Sequence, residues 1–194
     1  MGVRITAILP SCYARAPPMV RFQRQPPGTA ITRSSTALGM LLAVAAAPAI
    51  VRGDDVRAGA LALAGGALLL FGGHRANHGL GGPVDRMLTE LFDRGWDAFV
   101  LAPIVWANFG TAPDIAAGAL VALCASYLSS YVRARGAALG YSIEESHVTR
   151  GLRYALVSAG LLFGWLSWTV WAAAAVSILA AAVRTGQVAR EERA

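Results

Sequence analysis

Asp85, Thr89, Asp93 and Asp97 recur every fourth residue, so on a helix they form a single polar stripe. The run from Thr89 to Pro103 grows steadily more apolar, which carries Asp93 and Asp97 into a membrane if the helix spans one. A carboxylate at mid-bilayer costs around 2.5 to 3.5 kcal/mol on insertion scales and calls for a charged partner or a wet cavity. The plainer alternative keeps these acids at the interface, paired with Arg86 or Arg94. His74 and His78 lie four residues apart; facing Asp85, Asp93 or Asp97 they could hold a softer metal such as zinc. Gly79, Gly81, Gly82 and Pro83 follow at once, which makes helical geometry at His78 insecure and favours interfacial histidines without a metal.

These residues must be positioned by membrane helices. The chain is 56% hydrophobic and 14% charged, with a mean hydropathy of +0.51, which excludes an ordinary soluble domain. Apolar windows cover Thr36 to Val51, Ala58 to Gly73, Asp97 to Thr111 and Asp114 to Val132, followed by a long block from Tyr154 to Val183. At 1.5 Å per residue that block would reach about 45 Å, against a hydrocarbon core of about 30 Å. It reads as two helices with a turn near Gly164 to Ser167, so the expectation is an all-α bundle of six transmembrane helices.

All 17 basic residues are arginines, and the net charge is +6. With six spans, 15 of the arginines fall on one side and only Arg52 and Arg57 on the other, so the positive-inside rule places both termini in the cytoplasm. The charge is thus read as topology, and no nucleic-acid partner is expected. Residues 1–35 interleave five arginines with Pro10, Pro17, Pro18, Pro26 and Pro27; they read as a disordered cytoplasmic tail rather than a cleaved signal, with a transit peptide as the alternative. The membrane domain is expected over 36–184 and a second cytoplasmic tail over 185–194. Trp165, Trp168 and Trp171 suit an interfacial aromatic belt or a packed stripe. Cys12 and Cys124 imply no disulfide framework.

The segments Thr89 to Pro103 and Ser130-Tyr131-Val132-Arg133-Ala134-Arg135 resemble the third and fourth helices of the CDP-alcohol phosphatidyltransferases, integral membrane enzymes of phospholipid synthesis. Asp93-Arg94-Gly95-Trp96-Asp97, and Thr149-Arg150-Gly151-Leu152-Arg153, are most similar to the actinobacterial phosphatidylinositol-phosphate synthases. The resemblance implies transfer of a phosphatidyl group from CDP-diacylglycerol to a phosphorylated polyol, with release of CMP. It also implies a homodimer in the bacterial cell membrane. The family motif, D-x2-D-G-x2-A-R-x8-G-x3-D-x3-D, supplies four aspartates that hold Mg2+ or Mn2+, the fourth also acting as base toward the acceptor.

Anchored without gaps at Asp93 as the fourth aspartate, the motif puts Leu68, Phe71 and Thr89 at the other three, Gly72 at the glycine, and Arg75 with Ala76 at the A-R pair in reversed order. No acid lies between Asp55 and Asp85, so no shift of register restores the set. Asp93 is therefore the candidate catalytic residue, Asp93 and Asp97 the candidate metal ligands, and Gly72 and Arg75 candidate donor-binding residues. By the same resemblance Arg133, Arg135, Arg150 and Arg153 bind the acceptor phosphate, which guanidinium groups can do bidentately. Two readings stay open: an enzyme of the family, or a non-catalytic relative that binds lipid or nucleotide or partners an active synthase.

Overall fold

The computed structural model describes residues 28–141 and 147–191, all-helical with no strand among them. The helices are α1 (Thr29–Val51), α2 (Asp55–Arg75), α3 (Pro83–Asn108), α4 (Pro113–Ala138), α5 (His147–Phe163) and α6 (Leu166–Glu191). A π-helical turn, Ala76–Leu80, continues α2 and loses helical geometry at His78. Most of the expected arginine- and proline-rich tail, residues 1–27, lies outside the described residues.

Helix boundaries follow local chemistry. Asp54 caps α2 by accepting a hydrogen bond from the Arg57 amide, and Pro83 opens α3 in its first turn, where no amide donor is needed. The long apolar block breaks where expected: α5 stops at Phe163, and Gly164 takes a φ of 72°, a left-handed conformation that a residue without a Cβ adopts freely. Helix α1 starts at Thr29, seven residues before the apolar window. Its first turns are polar in composition yet buried, because Thr32, Ser35 and Thr36 return their hydroxyls to helix carbonyls at 3.0 to 3.2 Å. Hydropathy undervalues such turns. At the other end α6 runs to Glu191, into the stretch expected as tail.

Around the bundle the helices form a closed ring in the order α1, α2, α5, α6, α4, α3, with α2 also touching α3. Small residues set the close approaches. A Cβ added to Gly39 of α1 would stand 2.7 Å from the Gly65 carbonyl of α2, and the converse holds, the small-residue packing that lets helices associate in lipid. Trp96, Val100, Leu101 and Ile104 of α3 fill the core with Tyr154, Val157 and Leu161 of α5. The Trp96 indole donates to the Ala62 carbonyl at 3.0 Å. By length and apolarity α1, α2, α4 and α6 can cross a membrane. Helix α3 misses that standard because of its acids and arginines, and α5 because it has 17 residues, two of them Arg150 and Arg153.

Candidate functional site

The four-residue spacing of α3 acts as expected. Asp85, Thr89, Asp93 and Asp97 are all buried on one face, each less than 5% exposed. Their roles diverge along the helix. Asp85 accepts from the Gly82 amide at 2.6 Å, capping its own helix, and pairs with Arg33 of α1 at 2.5 Å. Thr89 donates its hydroxyl to the Asp85 carbonyl at 2.8 Å. Asp93 and Asp97 turn into the bundle.

Opposite them stands α5, where Arg150 and Arg153 lie one turn apart. No Cα of α3 lies within 8 Å of one in α5, so long side chains fill the interval. All four carboxylate oxygens are engaged. Asp93 Oδ1 accepts from the Tyr154 hydroxyl and lies 3.6 Å from Arg153 Nη2. Its Oδ2 accepts from Arg94 Nη2 and lies 3.4 Å from Arg150 Nε. Asp97 Oδ1 accepts from Arg153 Nε at 2.7 Å. Its Oδ2 accepts from Arg94 Nη1 at 3.0 Å and from the Ser126 hydroxyl of α4. Arg94 and Arg153 thus each straddle both carboxylates.

Beside this cluster a narrow cleft, with room of about 10 Å³, is lined by Arg94, Ser126, Ser129, Thr149, Arg150, Arg153 and Arg184 among others. Arg184 comes from α6 and donates to the Ser129 carbonyl and hydroxyl at 3.0 and 2.6 Å. A second pocket of similar size reaches Asp93 from the α2 side, past Leu69, Leu70, Gly73, His147 and Tyr154. Among the described residues the lining of the cleft has guanidinium groups and hydroxyls and no carboxylate, which suits an anionic, phosphate-like ligand.

Of the residues singled out from sequence, Asp93, Asp97, Arg150 and Arg153 come together. Arg133 pairs instead with Glu90 at 2.8 Å, and Arg135 is exposed. Gly72 is buried against Thr36 and Ser35 of α1. Arg75 lays its guanidinium over the Phe71 ring, 5.7 Å from the centroid. His74 and His78 stack on each other at 4.2 Å. Among the described residues no three His, Cys, Asp or Glu side chains gather as metal ligands. Arg94, Tyr154, Ser126 and Arg184 were not singled out as site residues. Only Arg94 left a signal, its i, i+3 spacing to Asp97.

No protein-family model matches the chain, and no curated protein matches it. Solved structures share its fold. Phosphatidylinositol phosphate synthase of Mycobacterium tuberculosis in complex with manganese and citrate superposes with a TM-score of 0.68 at 22% identity, over 83% of this chain and 88% of that one. The same synthase with CDP-DAG bound gives 0.67 at 20%, over 84% and 86%. Its apo form gives 0.66 at 20%, over 84% and 88%. The chain therefore has the fold of a CDP-alcohol phosphatidyltransferase.

The residues present do not fit the divalent metal that the resemblance implies. A hard ion such as Mg2+ or Mn2+ wants about six oxygen donors, several of them carboxylate. Leu68 and Phe71 offer no lone pair, Thr89 points its hydroxyl to a helix carbonyl, and Asp85 is held by Arg33. Among the described residues Asp93 and Asp97 remain, and arginines already hold both.

Proposed function

We propose that this chain is a multi-pass membrane protein of phospholipid biosynthesis that binds phosphate-bearing lipid precursors, a CDP-diacylglycerol-like donor among them, without performing the family's metal-dependent transfer. The observation that carries this reading is the arginine-saturated pair Asp93 and Asp97 beside a cleft rich in guanidinium groups. In the reaction the diphosphate gains charge as the bond to CMP breaks, and stabilising that charge is usually the largest catalytic term. An Asp93 carboxylate held by Arg94, Arg150 and Tyr154 is also poorly placed to take a proton from an acceptor hydroxyl.

The residues left in place can bind and orient. Arg94, Arg150, Arg153 and Arg184 supply positive charge, while Ser129, whose hydroxyl accepts from Arg184, can donate its proton to a phosphate oxygen. The family's enzyme activity is the second reading, favoured by the fold match across the membrane domain. Release of CMP from CDP-diacylglycerol separates the two, with inositol phosphate and glycerol phosphate as acceptors and Mn2+ or Mg2+ in excess. The expected result is binding of the donor with no turnover above background. Robust turnover abolished by Asp93→Asn would replace this reading with the enzymatic one.

The proposal includes six spans in a bacterial cell membrane, both termini cytoplasmic, and a homodimer or a pairing with an active synthase. The arginine asymmetry and the helical turns near Gly53 and Gly110 support this topology. Single cysteines at positions 55 and 185, in a chain with Cys12 and Cys124 replaced, should react differently with an impermeant thiol reagent on intact cells. Asp55→Cys is expected to label and Thr185→Cys to stay protected; equal labelling would sink the six-span arrangement.

A further inference from the structure

The site has an electrostatic property that its fold relatives do not suggest. The structure assigns to Arg94, Arg150 and Arg153 the role of permanent counter-ions, so that the chain neither binds nor needs a divalent cation at Asp93 and Asp97. Asp93 is the one residue that the motif register keeps among the metal-holding aspartates, and a solved neighbour of the same fold is a complex with manganese. Here the same carboxylate is less than 2% exposed and has no uncommitted oxygen.

The geometry supports replacement rather than simple neighbourhood. A metal ion between two aspartates would bridge them, and two guanidinium groups do so here. Arg94 reaches Asp93 with Nη2 and Asp97 with Nη1. Arg153 reaches Asp97 with Nε at 2.7 Å and Asp93 with Nη2 at 3.6 Å. A planar guanidinium with five donors can serve two carboxylates at once. Arg150 adds a third cation at 3.4 Å. Three guanidinium groups thus face the two carboxylates. A divalent ion entering this site would have to break guanidinium–carboxylate contacts in a buried setting, where lost charge pairing is expensive.

The consequence for the cleft rests on the proposed ligand-binding function: an anion bound there meets guanidinium groups with no metal ion between, and its affinity is independent of divalent ions. The claim about the cluster itself does not need that function.

The full chain, purified and reconstituted in phosphatidylcholine nanodiscs, provides the test. Titration of Mn2+ followed by electron paramagnetic resonance should show no tightly held ion, and melting in EDTA and in excess Mn2+ should coincide. A metal site filled at about a hundred times its Kd would instead raise Tm by roughly 5 to 10 °C. A tight ion that Asp93→Asn abolishes overturns the inference; one that survives Asp93→Asn sits elsewhere, as at the exposed Asp54 and Asp55, and agrees with it. CDP-diacylglycerol affinity should be equal in EDTA and Mn2+, and tightening of tenfold or more by Mn2+ would also overturn it. Failure to bind CDP-diacylglycerol at all would defeat the proposed function, while resonance and melting would still decide the metal question.

Discussion

Asp97→Leu is expected to cost about 3 to 5 kcal/mol of stability, the range for removing one partner of a buried ion pair. Asp97 is fully buried and receives Arg153, Arg94 and Ser126. Its loss leaves the Arg153 guanidinium, which is only 5% exposed, with an apolar side chain at its Nε and only the 3.6 Å contact to Asp93. The double variant Asp97→Leu with Arg153→Met removes both charges and should recover a large part of the loss, because apolar residues of similar volume replace buried pairs at little cost. Unfolding in mixed micelles would measure the single variants and the pair. If the two single effects simply add, with no coupling energy between positions in direct contact, then the pair is not an energetic unit.

The second large effect joins helix packing to the site. Tyr154 is 2% exposed, with its ring 4.2 Å from that of Trp96. Gly66 of α2 supports its other face: a Cβ there would lie 2.9 to 3.0 Å from the Tyr154 Cδ2, Cβ and Cγ atoms. Gly66→Val therefore has to push the ring toward an indole that cannot yield easily, since Trp96 is itself fully buried and bonded to Ala62. Overpacking of this kind costs about 1 to 3 kcal/mol. Displacing the ring also draws the Tyr154 hydroxyl from Asp93, a charged hydrogen bond of about 1.5 to 3 kcal/mol. Tyr154→Phe loses only that bond. Thermal melting should rank Gly66→Val as the more damaging, and the opposite order would show that α2 and α5 separate to admit the side chain.

Much of the architecture was legible in the sequence because apolar periodicity and glycine speak locally. The helices, the break at Gly164 and the buried face holding Asp93 and Asp97 follow from patterns within a few turns of chain. What stayed hidden depends on rotation and distance. Arg133 and Arg135 resemble site residues by spacing, but α4 presents Arg133 to Glu90 and leaves Arg135 exposed. Arg33 could be counted only as a tail charge, since its partner Asp85 lies 52 positions away. Arg184 likewise enters the cleft only through the packing of α6 on α4. The family resemblance implied that Leu68, Phe71 and Thr89 stand at aspartate positions, whereas the guanidinium contacts on Asp93 and Asp97 depend on how α3 and α5 face each other.

Helices α3 and α5 also bear on how the protein is made. Each is too polar or too short to be an obvious membrane segment by itself, and each carries the charges that neutralise the other. As the chain leaves the ribosome α3 emerges first, with Asp97 lacking its Arg153 partner until α5 has been synthesised. Were six helices to span the membrane, its insertion is expected to stay reversible during that interval and to be fixed by α5. A nascent chain stalled after α4 should therefore leave α3 extractable from the membrane, and one stalled after α6 should not. The ion cluster would then set the order of biogenesis as well as the charge of the finished site.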